Sequence, residues 1–294
     1  MVGISQRRSC FQDQQNLYAN TTANFMQTRN SLSSSKIVIL LPPASFYQTI
    51  GKPFTELAET ESTNNYAMHM AQNGLAGHGA AWFAHHQTAG KGQRGKSWKD
   101  EPGQNISLSV LLDTTVLPVS QPFLLSAAIA VAVHDFVDRY TCGNTSIKWP
   151  NDIYWRDRKA AGILIENSIR GHKWQWAVVG IGININQVKF DPLLANPVSL
   201  KQVTGKDYHV VELAQELCTC IQQRYRQLIE QGTDEILNQY NTLLYKRDTH
   251  VQLKKQGQSF YCTIKNADAY GRLWVQDAMQ PFFEFGEVEW VLNP

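Results

Sequence analysis

Gly90-Lys91-Gly92-Gln93-Arg94-Gly95-Lys96-Ser97 is followed by Trp98-Lys99-Asp100-Glu101-Pro102-Gly103-Gln104, and the choice of fold turns on that continuation. The first eight residues satisfy two phosphate-binding patterns at once, G-x-x-x-x-G-K-[ST] and G-x-G-x-x-G. Both patterns aim backbone N–H groups and a helix N-terminus at phosphate, so both need a helix directly afterwards. Here Pro102-Gly103 interrupts the chain, and residues 105–113 then alternate Ile106, Leu108, Val110 and Leu112 with polar or small residues, the period of a strand. The same missing helix removes Asp113, about 20 residues on, as a ribose-binding acid. What remains is a loop between two strands, in which three glycines allow close backbone approach and Lys91, Arg94 and Lys96 bring positive charge. Such a loop is either an ordinary exposed connection or a lid that closes over a polyanion.

Outward from the loop, strand and helix signals alternate. Residues 54–59 and 79–86 read as strands on either side of a helix that starts at Ser62 or Thr63 as N-cap and ends near Asn73, with Gly74 in the stop position. Downstream, a long helix capped near Ser120 is apolar at Phe123, Ala127, Ala130, Val131, Val133 and Val137. Strands follow at 145–149, 153–155, 160–166 and 174–183, then helices at about 210–230 and 233–245. From Thr249 the texture changes to four short strands (249–254, 259–265, 271–276 and 286–292) with no helix among them. Residues 51–245 thus read as an α/β domain and 246–294 as a small all-β domain, of a size that folds alone only marginally. Residues 1–50, rich in Ser, Gln, Asn and Thr, read as a disordered extension or an over-long start with Met26 as a later initiator; their acid-poor composition loosely resembles a transit peptide.

The 294 residues hold 27 Lys+Arg against 25 Asp+Glu, a net charge of +2, and 43% are hydrophobic, which excludes chain-wide disorder. The charge is uneven. Residues 1–50 hold four basic residues (Arg7, Arg8, Arg29, Lys36) and one acidic (Asp13), which leaves 23 basic and 24 acidic for the rest. A broad nucleic-acid-binding face needs clustered Lys and Arg, so no nucleic-acid partner is expected. No apolar run approaches the ~18 residues of a membrane span, so no membrane partner is expected either. Five cysteines (Cys10, Cys142, Cys218, Cys220, Cys262) are an odd number without disulfide or metal-ligand spacing, and point to buried or inert thiols in a reducing cytoplasm.

A second constellation is Lys148-Trp149-Pro150-Asn151-Asp152, where Pro150 ends a strand and presents Asn151 and Asp152 at a turn. Seven residues on, Lys159-Ala160-Ala161-Gly162-Ile163-Leu164-Ile165-Glu166 brings a lysine to an apolar strand, read either as a strand-end lysine in solvent or as a cation held near a ligand. In Gly180-Ile181-Gly182-Ile183-Asn184, glycines interrupt a buried strand, as a bulge or as a place of close ligand approach.

In this order, the Ser62-Thr63-Asn64 segment, the glycine loop preceded by Gln87, KWPND at 148–152, KxAGIL at 159–164 and GxGxN at 180–184 resemble the biotin protein ligases over residues 54–294, in the form without an N-terminal DNA-binding domain. KWPND followed closely by KxAGIL is the most specific part of the match. The resemblance implies a mixed-sheet catalytic domain of the class II aminoacyl-tRNA synthetase and biotin ligase kind, followed by an SH3-like β-barrel. It implies ATP-dependent activation of biotin to biotinyl-5′-AMP and transfer to a lysine of a biotin carboxyl carrier domain, with a lipoate or octanoyl ligase on the related fold as the alternative. A non-enzymatic nucleotide-binding module and a DNA-binding regulator are the competing classes, and a homodimer is left open. By resemblance Lys159, Asp152 and Arg94 are the catalytic candidates. Ser62, Thr63, Asn64, Gln87, Lys91, Gly92, Gln93 and Lys159 fall to biotin, Lys91, Arg94, Lys148, Asn151 and Asn184 to the nucleotide, and Asp152 to Mg²⁺. The loop departs from the commoner GRGRRGR form: Lys91, Gln93 and Lys96 stand where arginines are usual, and lysine lacks arginine's forked bidentate contact.

Overall fold

A computed structural model describes residues 48–291 apart from Asp100, His172 and Ala195, so the expected disordered extension lies outside the described residues but for its last three positions. The frame is a seven-stranded sheet in the order β1-β2-β3-β7-β6-β5-β4. Its strands are β1 Phe54–Leu57, β2 Ala81–Ala84, β3 Ile106–Asp113, β4 Thr145–Lys148, β5 Asp152–Trp155, β6 Arg158–Arg170 and β7 Lys173–Ile183. β1 and β2 run parallel, because helix α1 (Thr63–Gln72) carries the chain back between them; the other neighbouring pairs are antiparallel.

Alternation gives the sheet two unlike faces. Ile106, Leu108, Val110 and Leu112 of β3 and Ile181 and Ile183 of β7 enter the main core, where α2 (Phe123–Thr141) packs against α4 (Val210–Gln231) and α5 (Thr233–Thr242). α2 is apolar almost all round because the sheet covers one side and the two helices the other. On the opposite face α1 packs Ala67 and Ala71 with Trp82, Leu111 and Val178. Beside that patch the register lines up Ser107, Gly182 and Gly162 in one row and Ser109, Gly180 and Leu164 in the next. Leu164 apart, side chains this small leave a depression in the sheet.

The second sheet, β11-β10-β9-β8-β12, is the expected helix-free region, built from β8 His250–Lys255, β9 Gln258–Ala267, β10 Leu273–Gln276, β11 Phe282–Phe283 and β12 Glu289–Trp290. Its Leu253, Cys262, Ile264, Leu273 and Phe283 belong to the same contiguous core as α2, so a boundary drawn near residue 245 separates two sheets and not two cores. Among the described residues no helix is long and apolar enough to cross a membrane.

Several expectations need correction. α2 starts from Pro122, not Ser120, because proline's fixed φ suits a helix start. β6 continues past Glu166 to Arg170 by pairing with β7. The strand expected over 286–292 shrinks to Glu289–Trp290, since Gly286 turns the chain with φ +87°. A short helix α3 (Leu200–Thr204), opened by a Ser199/Gln202 capping box, lies where no element was expected.

Candidate active site

The depression is the bottom of a cavity of about 760 Å³. Lys159 reaches it through a parity change. Lys159 and Gly162 are three residues apart and would face opposite sides of a regular strand. A register shift between Ile153 and Tyr154 pairs Ile153 with Ala161 but Tyr154 with Lys159, so Ala160 is the extra residue of a bulge and Lys159 joins Gly162 on the cavity face. Asp152, opposite Gly162, then lies 2.7 Å from the Lys159 ammonium. A Cβ at position 162 would fall 3.2 Å from Lys159 Nζ, so this pair lies close over the bare backbone of Gly162.

At the α1 end, Ser62 occupies the N-cap position, but its hydroxyl makes no capping bond; Gln87 Oε1 accepts from the Thr63 N–H at 2.8 Å instead. Thr63 Oγ1 also donates to Gln87 Oε1, at 3.2 Å. Ser109, fully buried on β3, lies 2.8 Å from Thr63 Oγ1 and donates to Asn64 Oδ1 at 2.6 Å. The Asn64 amide donates to Leu164 O at 3.3 Å and to Glu166 Oε2 at 2.8 Å.

Residues 90–98 form a short hairpin over the cavity: Lys91 bridges Ser97, Gly92 N donates to Lys96 O at 2.6 Å, and Trp98 N donates to Gly90 O at 2.9 Å. Its tip (Gln93–Gly95) is one tight turn with Arg94 and Gly95 in the left-handed region, φ +55° and +75°, so no phosphate-loop helix follows the glycines. Gln93 Nε2 donates to Ile163 O at 3.3 Å, the carbonyl that also accepts from Asn151 Nδ2 at 2.7 Å. Lys91 pairs with Glu166 at 3.3 Å. The Arg94 guanidinium lies against Gly286 of the second sheet. Trp98 lies flat on Gly182; its indole N–H is buried and has no partner among the described residues.

The second sheet closes the far wall with Phe285, Val288 and Trp290. Lys148 Nζ sits 5.2 Å above the Tyr154 ring and 5.6 Å from that of Trp290. Burial pushes its pKa down to about 8, with the Lys159 and Lys96 charges adding to the shift and Asp152 opposing it. Trp149 Nε1 donates to Gly271 O at 3.0 Å, which locks KWPND to this sheet.

Every residue picked out from the sequence as a site candidate lines this cavity: Ser62, Thr63, Asn64, Gln87, Lys91, Gly92, Gln93, Arg94, Lys148, Asn151, Asp152, Lys159 and Asn184. Two groups stand out among them. Asn184 donates to the carbonyls of Lys159 and Val198, at 3.3 and 3.2 Å, and Asn151 to that of Ile163, so these amides hold backbone around the site. Lys148, Lys159 and Asp152 form the charged group. Ser109, Glu166, Trp98, Phe285 and Trp290 went unnoticed in the sequence; only the register opposite Gly180 could have indicated Ser109, and nothing local indicates the second-sheet residues. No cluster of three or more His, Cys, Asp or Glu suited to a metal occurs among the described residues. Asp152 alone, completed by phosphate oxygens and water, suits Mg²⁺, which keeps several waters and uses one or two carboxylates. The Cys218 and Cys220 thiols are buried in α4, which raises them to about 12 and about 11 and keeps them inert.

Residues 57–184, the span that holds all these candidates, match the model of the biotin/lipoate A/B protein ligase family. The bifunctional ligase/repressor BirA of Bacillus spizizenii is 29% identical over 218 residues, 73% of this chain and 67% of that protein. The biotin--[acetyl-CoA-carboxylase] ligase of Paracoccus denitrificans is 37% identical over 158 residues, 51% of this chain and 63% of that protein. Among solved structures, the biotin protein ligase from Aquifex aeolicus in complex with biotin and ATP superposes with a TM-score of 0.65, at 22% identity, over 81% of this chain and 94% of that one; this likeness is one of fold.

Proposed function

We propose, from the match of residues 57–184 to the biotin/lipoate A/B protein ligase family, that this chain activates biotin with ATP and transfers it to a lysine of a carboxylase carrier domain. The observation that carries the reading is the bulge at Ala160, which brings Lys159 beside Asp152 on the glycine floor, between the polar α1 end and Lys148.

In the first step one oxygen of the biotin carboxylate attacks the α-phosphorus of ATP; the bond to the β-phosphate breaks and pyrophosphate leaves with its electrons. Two anions must meet, so fixed cations lower the barrier. Lys159 is placed for the carboxylate and the α-phosphate, and Lys148 for the nucleotide. Asp152 is the residue that would hold Mg²⁺, which would supply further charge neutralisation. Ser62, Thr63, Asn64 and Gln87 offer donors and acceptors to a ureido ring, and the bare floor admits a flat ligand. The hairpin excludes water, which would otherwise hydrolyse the acyl-adenylate. In the second step the neutral acceptor amine attacks the acyl carbonyl, AMP departs with the electrons of the C–O bond, and the proton shed by the nitrogen passes to the departing phosphate or to water; in this reading Asp152 orients that amine.

Lys159→Ala is expected to lower biotin-dependent ATP–pyrophosphate exchange by about 10³-fold, the scale of one lost charge contact in a transition state, with the melting temperature little changed. Exchange near the wild-type rate would remove Lys159 from the mechanism. Incubation with labelled biotin or lipoate, ATP and a carrier domain tests the substrate: transfer of lipoate in preference to biotin would move the chain to the other branch of the family.

A further inference from the structure

We propose that Glu166 is a positioning residue that couples the lid to the ring-binding floor; the proposal rests on the ligase reading given above. Glu166 lies on β6 two residues beyond Leu164 and opposite Val178, on the cavity face of the strand. One carboxylate oxygen accepts from Lys91 Nζ at 3.3 Å, at the root of the lid, and the other from Asn64 Nδ2 at 2.8 Å, in α1. From Asn64 the bonds continue through Ser109 and Thr63 to Gln87, three residues before the lid begins. The circuit therefore leaves the lid at Lys91, passes across the floor and returns at Gln87.

The Glu166 carboxylate is the nearer of two acceptors that set which way the Asn64 amide points. With a carboxylate and the Leu164 carbonyl on one side, only the NH₂ group can face them, so the amide oxygen must face Ser109 and take its proton. Gly180 lies directly beneath, where a Cβ would come within 3.0 Å of three Asn64 atoms, so the amide sits in the space that glycine leaves. A neutral amide at position 166 offers both a donor and an acceptor. It would accept either end of the Asn64 amide, leaving the long bond to the Leu164 carbonyl as the one contact on that side that still selects the NH₂ group, and it would also lose the ion pair to Lys91.

Glu166→Gln is expected to raise KM for biotin by about 10-fold, the scale of one charge-assisted hydrogen bond, while kcat for exchange stays within about 3-fold. In the ligand-free protein it should also speed tryptic cleavage after Arg94 and Lys96, followed by mass spectrometry, by about 5-fold or more. Lys91→Met, which breaks the circuit from the lid side, should speed the same cleavage equally, and the double variant should cleave no faster than either single one. Unchanged KM and unchanged cleavage, with only a lower melting temperature, would reduce Glu166 to a structural residue and overturn the proposal; additive cleavage rates would overturn the coupling. If the wild-type protein shows no biotin-dependent exchange, the ligase reading fails, and the cleavage comparison still decides whether Glu166 holds the lid.

Discussion

Floor and lid of this cavity are both rich in glycine; Gly90 and Gly92 at the root of the lid allow close backbone approach, but the floor glycines and Gly95 at the lid tip use it for opposite ends. On the floor, Gly180 and Gly182 are extended strand residues whose missing Cβ atoms leave the space that Asn64 and Trp98 fill. In the lid, Gly95 has φ +75° with nothing within 4 Å of a Cβ, so glycine there serves the backbone conformation of the tip. One use is volume inside a packed layer and the other is conformational freedom beside solvent. Adding the same methyl group to each region should therefore give different kinds of damage.

The largest effect is expected at Gly180. Gly180→Ala drives Asn64 off its seat and leaves buried amide and hydroxyl groups unpaired, for a loss of about 2–3 kcal/mol in chemical unfolding and a weakening of biotin binding by about 100-fold in calorimetry. Gly182→Ala expels Trp98 from the floor but leaves no buried network broken, so its loss should fall on activity more than on stability. A Gly180→Ala protein that melts and binds like wild type would dissolve the distinction between the two regions.

Charge sharpens the same contrast, because Lys148 belongs to the enclosed side. Burial lowers its pKa to about 8 from the ordinary 10.5, so between those values the unfolded chain holds a proton that the folded lysine has lost, and stability rises with pH through that window. Below about pH 8 both states are charged and the full cost of burial remains. Lys148→Met should accordingly stabilise the ligand-free protein by about 2 kcal/mol at pH 7, with the gain shrinking toward pH 10. ATP binding near pH 8.5 should be accompanied by proton uptake, since phosphate beside Lys148 restores its charged form; titration calorimetry in buffers of different ionisation enthalpy measures it, and the uptake should vanish in Lys148→Met.

Gly95→Ala should have the smallest effect. It forces a Cβ into a left-handed conformation, at a cost of about 1 kcal/mol confined to the closed lid. Exchange kinetics should show KM shifts below about 5-fold, with the melting temperature unmoved. A large drop in melting temperature would mean that the lid is part of the core.

How much of this could be read from the chain follows the range of the interaction involved. The strands, the two long helices and the absence of a helix after Gly95 follow from local periodicity and from Pro102-Gly103. The candidate residues also announced themselves by type and spacing. What could not be read was their division of labour. Asn184 and Asn151 bond to backbone carbonyls that meet them only once strands are paired, and Gln87 displaces Ser62 as helix cap from 24 positions away. The Ser199/Gln202 capping box, by contrast, is a local signal, three residues apart in the chain.

By itself, then, the sequence determined the alternation that sends Ile181 and Ile183 into the core and leaves Gly180 and Gly182 bare, because side-chain parity along a strand is a property of the covalent backbone. Only the tertiary structure decided that Lys159 shares their face, since one extra residue in the pairing of β5 with β6 reverses parity, and a bulge is defined by two strands at once. It likewise decided that Trp290 and Phe285 complete the wall around Lys148: residues more than a hundred positions apart meet through the packing of one shared core, which no local pattern records.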